Sequence, residues 1–236
     1  MHYMMMPLHR HFDLGFGAVA DSFKEAADAL TISNDSSPSL GAHLPISFLY
    51  RHAIELYLKS AIIIFHRKFD LPYGETSSRG EPCIPHKGQW KTMYSVHGLQ
   101  PLYDYFRSLF VNHAAYLVEH TNTDWSFPEE LASWIRDIDA TDSSSTFFRY
   151  PVTRHKERDK DKSAIREDNC DTMLLNLAKR EKPLKAFLMV DQDDQVVEAF
   201  SHDDTLSQVV MCTLRNVANL FDSCHAALVG ELTNGK

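Results

Sequence analysis

Arg51, Glu55 and Lys59 stand four residues apart in FLYRHAIELYLKSAIIIFH, a run from Phe48 to His66 with no glycine or proline. Side chains four apart lie above one another on a helix, so the three form a cation–carboxylate–cation stripe. Further along, His97 and the tripeptide Arg149-Tyr150-Pro151 supply an imidazole, a guanidinium and a phenol. Such a set has two uses. It could line a pocket for a nucleotide or a phosphate. Alternatively, Glu55 pairs with Arg51 and Lys59 and takes a hydrogen bond from His97 or Arg149. That would tie helices together through a partly buried network, which must be satisfied to be tolerated. The structural reading is preferred, because the carboxylate is placed to neutralise the cations. Ion-pair networks and ligand sites look alike in sequence.

Metal chemistry finds little support. Cys83-Ile84-Pro85-His86 is a lone Cys-x-x-His, and a zinc site wants a second pair at defined spacing. Neither Cys170 nor the adjacent Cys224-His225 provides one. The chain has no glycine-rich phosphate loop, no G-x-S-x-G elbow and no kinase motif set. No metal and no cofactor is expected.

These residues must be held by helices. Phe16, Val19, Ala20, Phe23, Ala26, Ala27 and Leu30 recur at helical spacing within residues 12–32. The second helix runs from about Pro45, a first-turn residue. A third is expected from His97 to Glu119, with His113 on its apolar face. Ser126-Phe127-Pro128-Glu129 reads as a capping box that starts a short helix through Trp134 and Ile138. A last helix is expected from Asp204 to Leu228. Between these lie an irregular insert at 69–94 and a charged linker at 152–169. The linker reads as a solvated segment. Its functional alternative is a basic arm beside a substrate groove. Lys185 to Phe200 alternates around Gln192-Asp193-Asp194, as a small hairpin does.

The 236 residues are 44% hydrophobic and 24% charged, as in a globular protein. No apolar run approaches the roughly 18 residues of a membrane span. The start, MHYMMMPLHRHF, shows no apolar signal core, and the four cysteines are scattered. A cytoplasmic protein without membrane attachment is expected. A net charge of −8 does not favour nonspecific binding to a phosphate backbone, though a local basic groove is compatible with it.

Three motifs occur in one order: Ala53-Ile54-Glu55-Leu56-Tyr57-Leu58-Lys59-Ser60, then His97-Gly98-Leu99-Gln100-Pro101-Leu102, then Phe148-Arg149-Tyr150-Pro151 ahead of a long closing helix. In this the chain resembles HEPN-domain proteins, whose second helix carries A-x-E-x-x-L-K-A, whose next begins H-D-L-x-x-L, and some of which place R-Y-P before the last helix. The matching segments cover about half the chain. The resemblance implies an all-α, HEPN-like helical bundle of four to five helices, with a small β-hairpin inserted before the last. It would be a single domain over 1–236, with the loop insert at 69–94 and the charged linker plus hairpin at 152–200. It also implies a homodimer or a subunit of a complex, a role near RNA or nucleotides, and a prokaryotic defence or toxin–antitoxin setting.

Many such proteins are metal-independent ribonucleases with an R-x(4–6)-H motif. Their Arg steadies the charge on a pentavalent phosphate, and their His shuttles the proton of the attacking 2′-hydroxyl. Arg107 with His113, and Arg149 with His155, have that spacing here, but neither pair sits on the last helix. With 13 histidines in the chain, chance matches are expected. The expected function is therefore a non-catalytic binding or scaffold module in which Arg51, Glu55, Lys59, His97 and Tyr150 form a ligand-binding or structural polar network. The alternative is the ribonuclease.

Overall fold

Eighteen residues of one helix are buried, and the chain is built around it. A computed structural model of the chain describes residues 3–37, 39–153, 156–170, 173 and 185–235. The central helix is α2, His43–Lys68, and it packs against α1 (Phe16–Ser36), α3 (Leu99–Asn112) and α7 (Thr205–Thr233). Apart from the stripe of Arg51, Glu55 and Lys59, its surface is mostly apolar, and such a helix belongs in the interior. Ala53, Ile54, Tyr57, Leu58, Ile62 and Phe65 fill the space between its neighbours. The remaining helices are α4 (Ala114–His120), α5 (Leu131–Thr141) and the one-turn α6 (Lys156–Asp159).

The all-α expectation is overturned. The structure is 58% helical and, among the described residues, also holds two antiparallel sheets, one of two strands and one of three. The first sheet lies inside the insert that looked irregular. There β1 (Cys83–His86) pairs with β2 (Gln89–Thr92) around Lys87-Gly88. Both turn residues have positive φ, as a two-residue primed turn requires. Pro85 and the short length hid these strands, since proline argues against a strand and is tolerated only at its edges. In the second sheet β4 (Lys185–Val190) and β5 (Val196–His202) form a hairpin. A third strand, β3 (Ile165–Asp168), comes out of the charged linker and pairs with the other side of β5. Its IRED sequence carries little β-propensity of its own, and cross-strand pairing supplies the rest.

Two helix boundaries also move. The third helix breaks at His113, whose backbone leaves helical geometry (φ −111°, ψ 8°). No capping box forms at Ser126, and α5 starts five residues later at Leu131. Asp139 near the end of α5 instead caps α3. Its Oδ1 accepts from the N–H groups of Leu99 (2.7 Å) and Gln100 (3.3 Å), and a carboxylate suits a helix N-terminus.

Candidate functional site

The stripe on α2 is inside the protein. Arg51, Glu55 and Lys59 are 0%, 1% and 3% exposed. Glu55 accepts from Arg51 Nη1 through Oε2 and from Lys59 Nζ (2.7 Å) and His97 Nδ1 (3.0 Å) through Oε1. The Arg51 guanidinium also donates to the His97 carbonyl and lies 3.7 Å from the buried Asp142 carboxylate. Asp142 Oδ1 in turn accepts from the N–H groups of Thr146 and Phe147, which turns the chain after α5. Two carboxylates thus face two cations. Burial alone would push the Glu55 carboxyl up. The charges of Lys59 and Arg51, with hydrogen bonds from Lys59 and His97, outweigh burial and hold it below its usual range. Only the His97 ring, half exposed, opens this group to solvent.

Arg149 and Tyr150 stand outside that network. The Arg149 guanidinium lies between the Phe48 and Tyr150 rings, at 5.7 and 5.6 Å, and its Nε donates to the Ser145 carbonyl. Tyr150 is exposed. The Arg–His pairs are placed as follows. Arg107 lines a hollow of about 280 Å³ with Phe127, Pro128 and Glu129. His113 stacks on Phe69 at 4.0 Å and donates from Nδ1 to the Leu109 carbonyl at 2.8 Å. At 3.6 residues per turn, six residues put the two side chains ~120° apart around the helix, so they do not share a face of α3. His155 lies outside the described residues. Among the described residues, no three His, Cys, Asp or Glu side chains are grouped to hold a metal ion.

Sequence reasoning missed a second buried knot, where α1, α2 and α7 meet. Asp13, 1% exposed, accepts from the N–H groups of Gly15 (2.9 Å) and Gly17 (2.8 Å) at the start of α1 and from Ser60 Oγ (2.6 Å) on α2. His225 Nε2 on α7 lies 3.5 Å from the same carboxylate. Burial would raise the Asp13 carboxyl, but hydrogen bonds from His225 and Ser60 and the charge of His225 hold it far below the ordinary range. Next to it, Tyr57 donates to Asp21 (2.8 Å), and burial with the Asp21 charge pushes the phenol well up. A Cβ on Gly17 would stand 1.9 Å from His225 Nε2, so only glycine lets α1 come this close to α7. A glycine in the first turn of a helix was the one available signal.

His66 is a third buried polar group. Its Nδ1 donates to the Leu71 carbonyl (2.9 Å), which leaves Nε2 to accept from the Tyr105 hydroxyl (2.7 Å). Burial lowers its pKa. In all three places the polar groups meet one another.

Elsewhere they meet an opening. A cavity of about 280 Å³ lies between the first turns of α2, residues 147–148, the charged linker and the start of α7. Leu44, Phe147, Phe148, Leu206 and Val210 supply its larger apolar walls, and His43, Arg158, Asp161 and Lys162 its ionisable groups. Lys162 in that wall is committed. It donates to the Tyr150 carbonyl (2.7 Å), pairs with Asp159 (2.7 Å) and sits 4.7 Å from the centre of the Phe147 ring. With Thr153 it brings the Asp159 carboxyl down to about 2. Arg158 differs. Its guanidinium donates to the Ala140 carbonyl (2.6 Å) and has no carboxylate partner among the described residues. Most described residues of the charged linker are exposed, as a solvated segment should be, while Arg158, Asp161 and Lys162 line one side of the cavity.

Compared with family models, with curated proteins and with solved structures, the chain matches none. No helix among the described residues is long and apolar enough to cross a membrane.

Proposed function

We propose that the protein is a non-catalytic, HEPN-like binding module of the cytoplasm, and that its ligand enters the cavity beside the charged linker. One observation carries this. The cavity joins apolar and aromatic walls to Arg158, which has no carboxylate partner among the described residues. Small-molecule sites are concave and mostly apolar, with a few polar groups that fix orientation. The ligand chemistry that fits is a small flat or apolar body bearing one anionic group. A nucleotide has that form, in keeping with the role near RNA or nucleotides that the HEPN resemblance implies, in a defence or toxin–antitoxin setting. The saturated state of Glu55 and Asp13 argues for architecture at those sites, and the separation of Arg107 from His113 argues against their acting as one acid–base pair.

The test is calorimetric titration of the full chain with AMP, GMP, UMP and CMP, with a short RNA incubated in EDTA alongside. At least one nucleotide should bind. Arg158→Ala should weaken it about tenfold, the size of a charge-assisted hydrogen bond. Ser207→Trp, which fills the chamber, should abolish it while the melting temperature holds. The RNA should stay intact. Binding by none of the four nucleotides would sink the nucleotide reading, and RNA cleavage lost in His113→Ala would establish the ribonuclease instead.

A further inference from the structure

The strand order β3-β5-β4 leaves β4 on an edge. It reads KAFLMV, and all six residues are exposed. Phe187, Leu188, Met189 and Val190 are each about half exposed, at 48%, 48%, 54% and 54%. Side chains alternate along a strand, so Leu188 and Val190 stand on one face and Phe187 and Met189 on the other. Both faces at this edge are apolar. Proteins normally guard such an edge with charges, proline or a bulge. None interrupts Phe187–Val190. The one irregularity of the hairpin lies on the other strand: pairing steps from Met189↔Glu198 to Val190↔Val196, so the extra residue is Val197 of β5 and β4 stays regular. A three-stranded sheet draws its stability from a covered apolar face, and no described residue covers β4.

We propose that β4 docks against β4 of a second copy of this chain, as a two-fold antiparallel pair that merges two three-stranded sheets into one. Symmetry restricts the register. Opposed residues in an antiparallel pair both turn their N–H and C=O toward the partner strand or both turn them away. In self-pairing the two residue numbers therefore share parity, and the two-fold axis passes through a residue. An axis at Leu188 uses the whole strand. Leu188 opposes itself, Phe187 opposes Met189, Ala186 opposes Val190, and Lys185 opposes Asp191. That last pair closes the interface with opposite charges at both ends, while apolar residues meet in the middle. An axis at Phe187 would set Lys185 against Met189, and one at Met189 would set Phe187 against Asp191. The charges thus select one register and favour a second copy over an unrelated strand. This interface adds to the binding reading and does not depend on what the cavity holds.

Sedimentation of the full chain tests it, over protein concentrations from about 1 to about 100 µM, the range in which a micromolar dimer dissociates. The wild type should be a dimer at the upper end. Leu188→Lys sets two like charges face to face on the axis and should give a monomer with unchanged circular dichroism. Lys185→Asp sets like charges opposite one another and should weaken the dimer about tenfold. Adding Asp191→Asn, which removes the repulsion but keeps the side-chain oxygen that accepts from the N–H groups of Asp193 and Gln195 in the turn, should recover most of that loss. A wild type monomeric throughout, a dimer indifferent to Leu188→Lys, or a double variant that fails to recover would each overturn the proposal.

Discussion

The helical centre and the segment from Ser145 to His202 treat exposed and buried chemistry in opposite ways. In the centre, charged and polar groups are buried and answered. Glu55 meets Arg51, Lys59 and His97, and Asp13 meets two N–H groups, a hydroxyl and an imidazole. In the segment, apolar groups are open. The cavity shows phenylalanines beside Arg158, which has no carboxylate partner among the described residues, and β4 shows four apolar side chains at an edge. Burying a charge is tolerated only when it is paired. Glu55 and Asp13 are thus committed to partners inside the protein, while Arg51 Nε and Asp142 Oδ2, 3.7 Å apart, face each other without a hydrogen bond. An open apolar wall has the reverse character, since covering it is favourable. The richest cluster of ionisable side chains is thus the one most closed to solvent, with Arg51, Glu55 and Lys59 at 0%, 1% and 3% exposure.

The sharpest way to break that contrast is to remove a buried partner. Glu55→Ala leaves Arg51 and Lys59 buried without their carboxylate and should cost about 3–5 kcal/mol of stability, read from denaturant midpoints. A cost below about 1 kcal/mol would mean that water reaches the group and that the centre is not closed.

The second knot is tested through its glycine. Gly17→Ala drives a methyl into the His225 ring, and overpacking of this kind costs about 1–3 kcal/mol. Gly41→Ala, with nothing within 4 Å of the added carbon, is the control and should be neutral or better. Equal effects at the two positions would show that α1 does not approach α7 as described.

Acid sharpens the comparison further, with a smaller and graded effect near neutrality. Burial lowers the pKa of His52 and His66 below 6.5. A group of this kind adds stability that is complete above the unfolded pKa and fades as pH falls from 6.5 toward the folded value. Glu55 and Asp13 are also depressed, from 4.5 and 3.8, so their contribution is complete above those values and is lost as pH falls below them. Unfolding free energy should decline gently below pH 6.5 and steeply below about pH 4.5. A flat profile down to pH 4 would contradict the buried histidines.

The smallest effect belongs to the surface. Arg107→Ala should change stability by no more than about 0.5 kcal/mol. A larger loss in thermal melts would place Arg107 in the load of the core rather than on its outside.

Parts of this were legible in the chain and parts were not. The run from Phe48 to His66 identified a long helix because it holds no breaker and sets apolar residues around the Arg51–Glu55–Lys59 stripe. The alternation around Gln192-Asp193-Asp194 marked a hairpin because turn residues and period two coincide there. By contrast β3 was hidden, since IRED has no strand signature until β5 lies beside it. The capping box at Ser126 met the local rule and failed, because the chain from Ser126 to Phe127 is drawn into packing against the aromatic side of α3. Asp13, Ser60 and His225 come from three distant places, and no spacing rule joins them.

The sequence by itself determined which segments are helical, which side chains share a face of α2, and that Glu55 stands between two cations. Those are consequences of near-neighbour geometry, which periodicity records. Only the tertiary structure decided that this stripe is buried, that Asp13 and His225 meet, and that the linker lines one side of a cavity. Each of these depends on residues that approach through space after the apolar faces have packed, and the chain carries no local mark of such contacts.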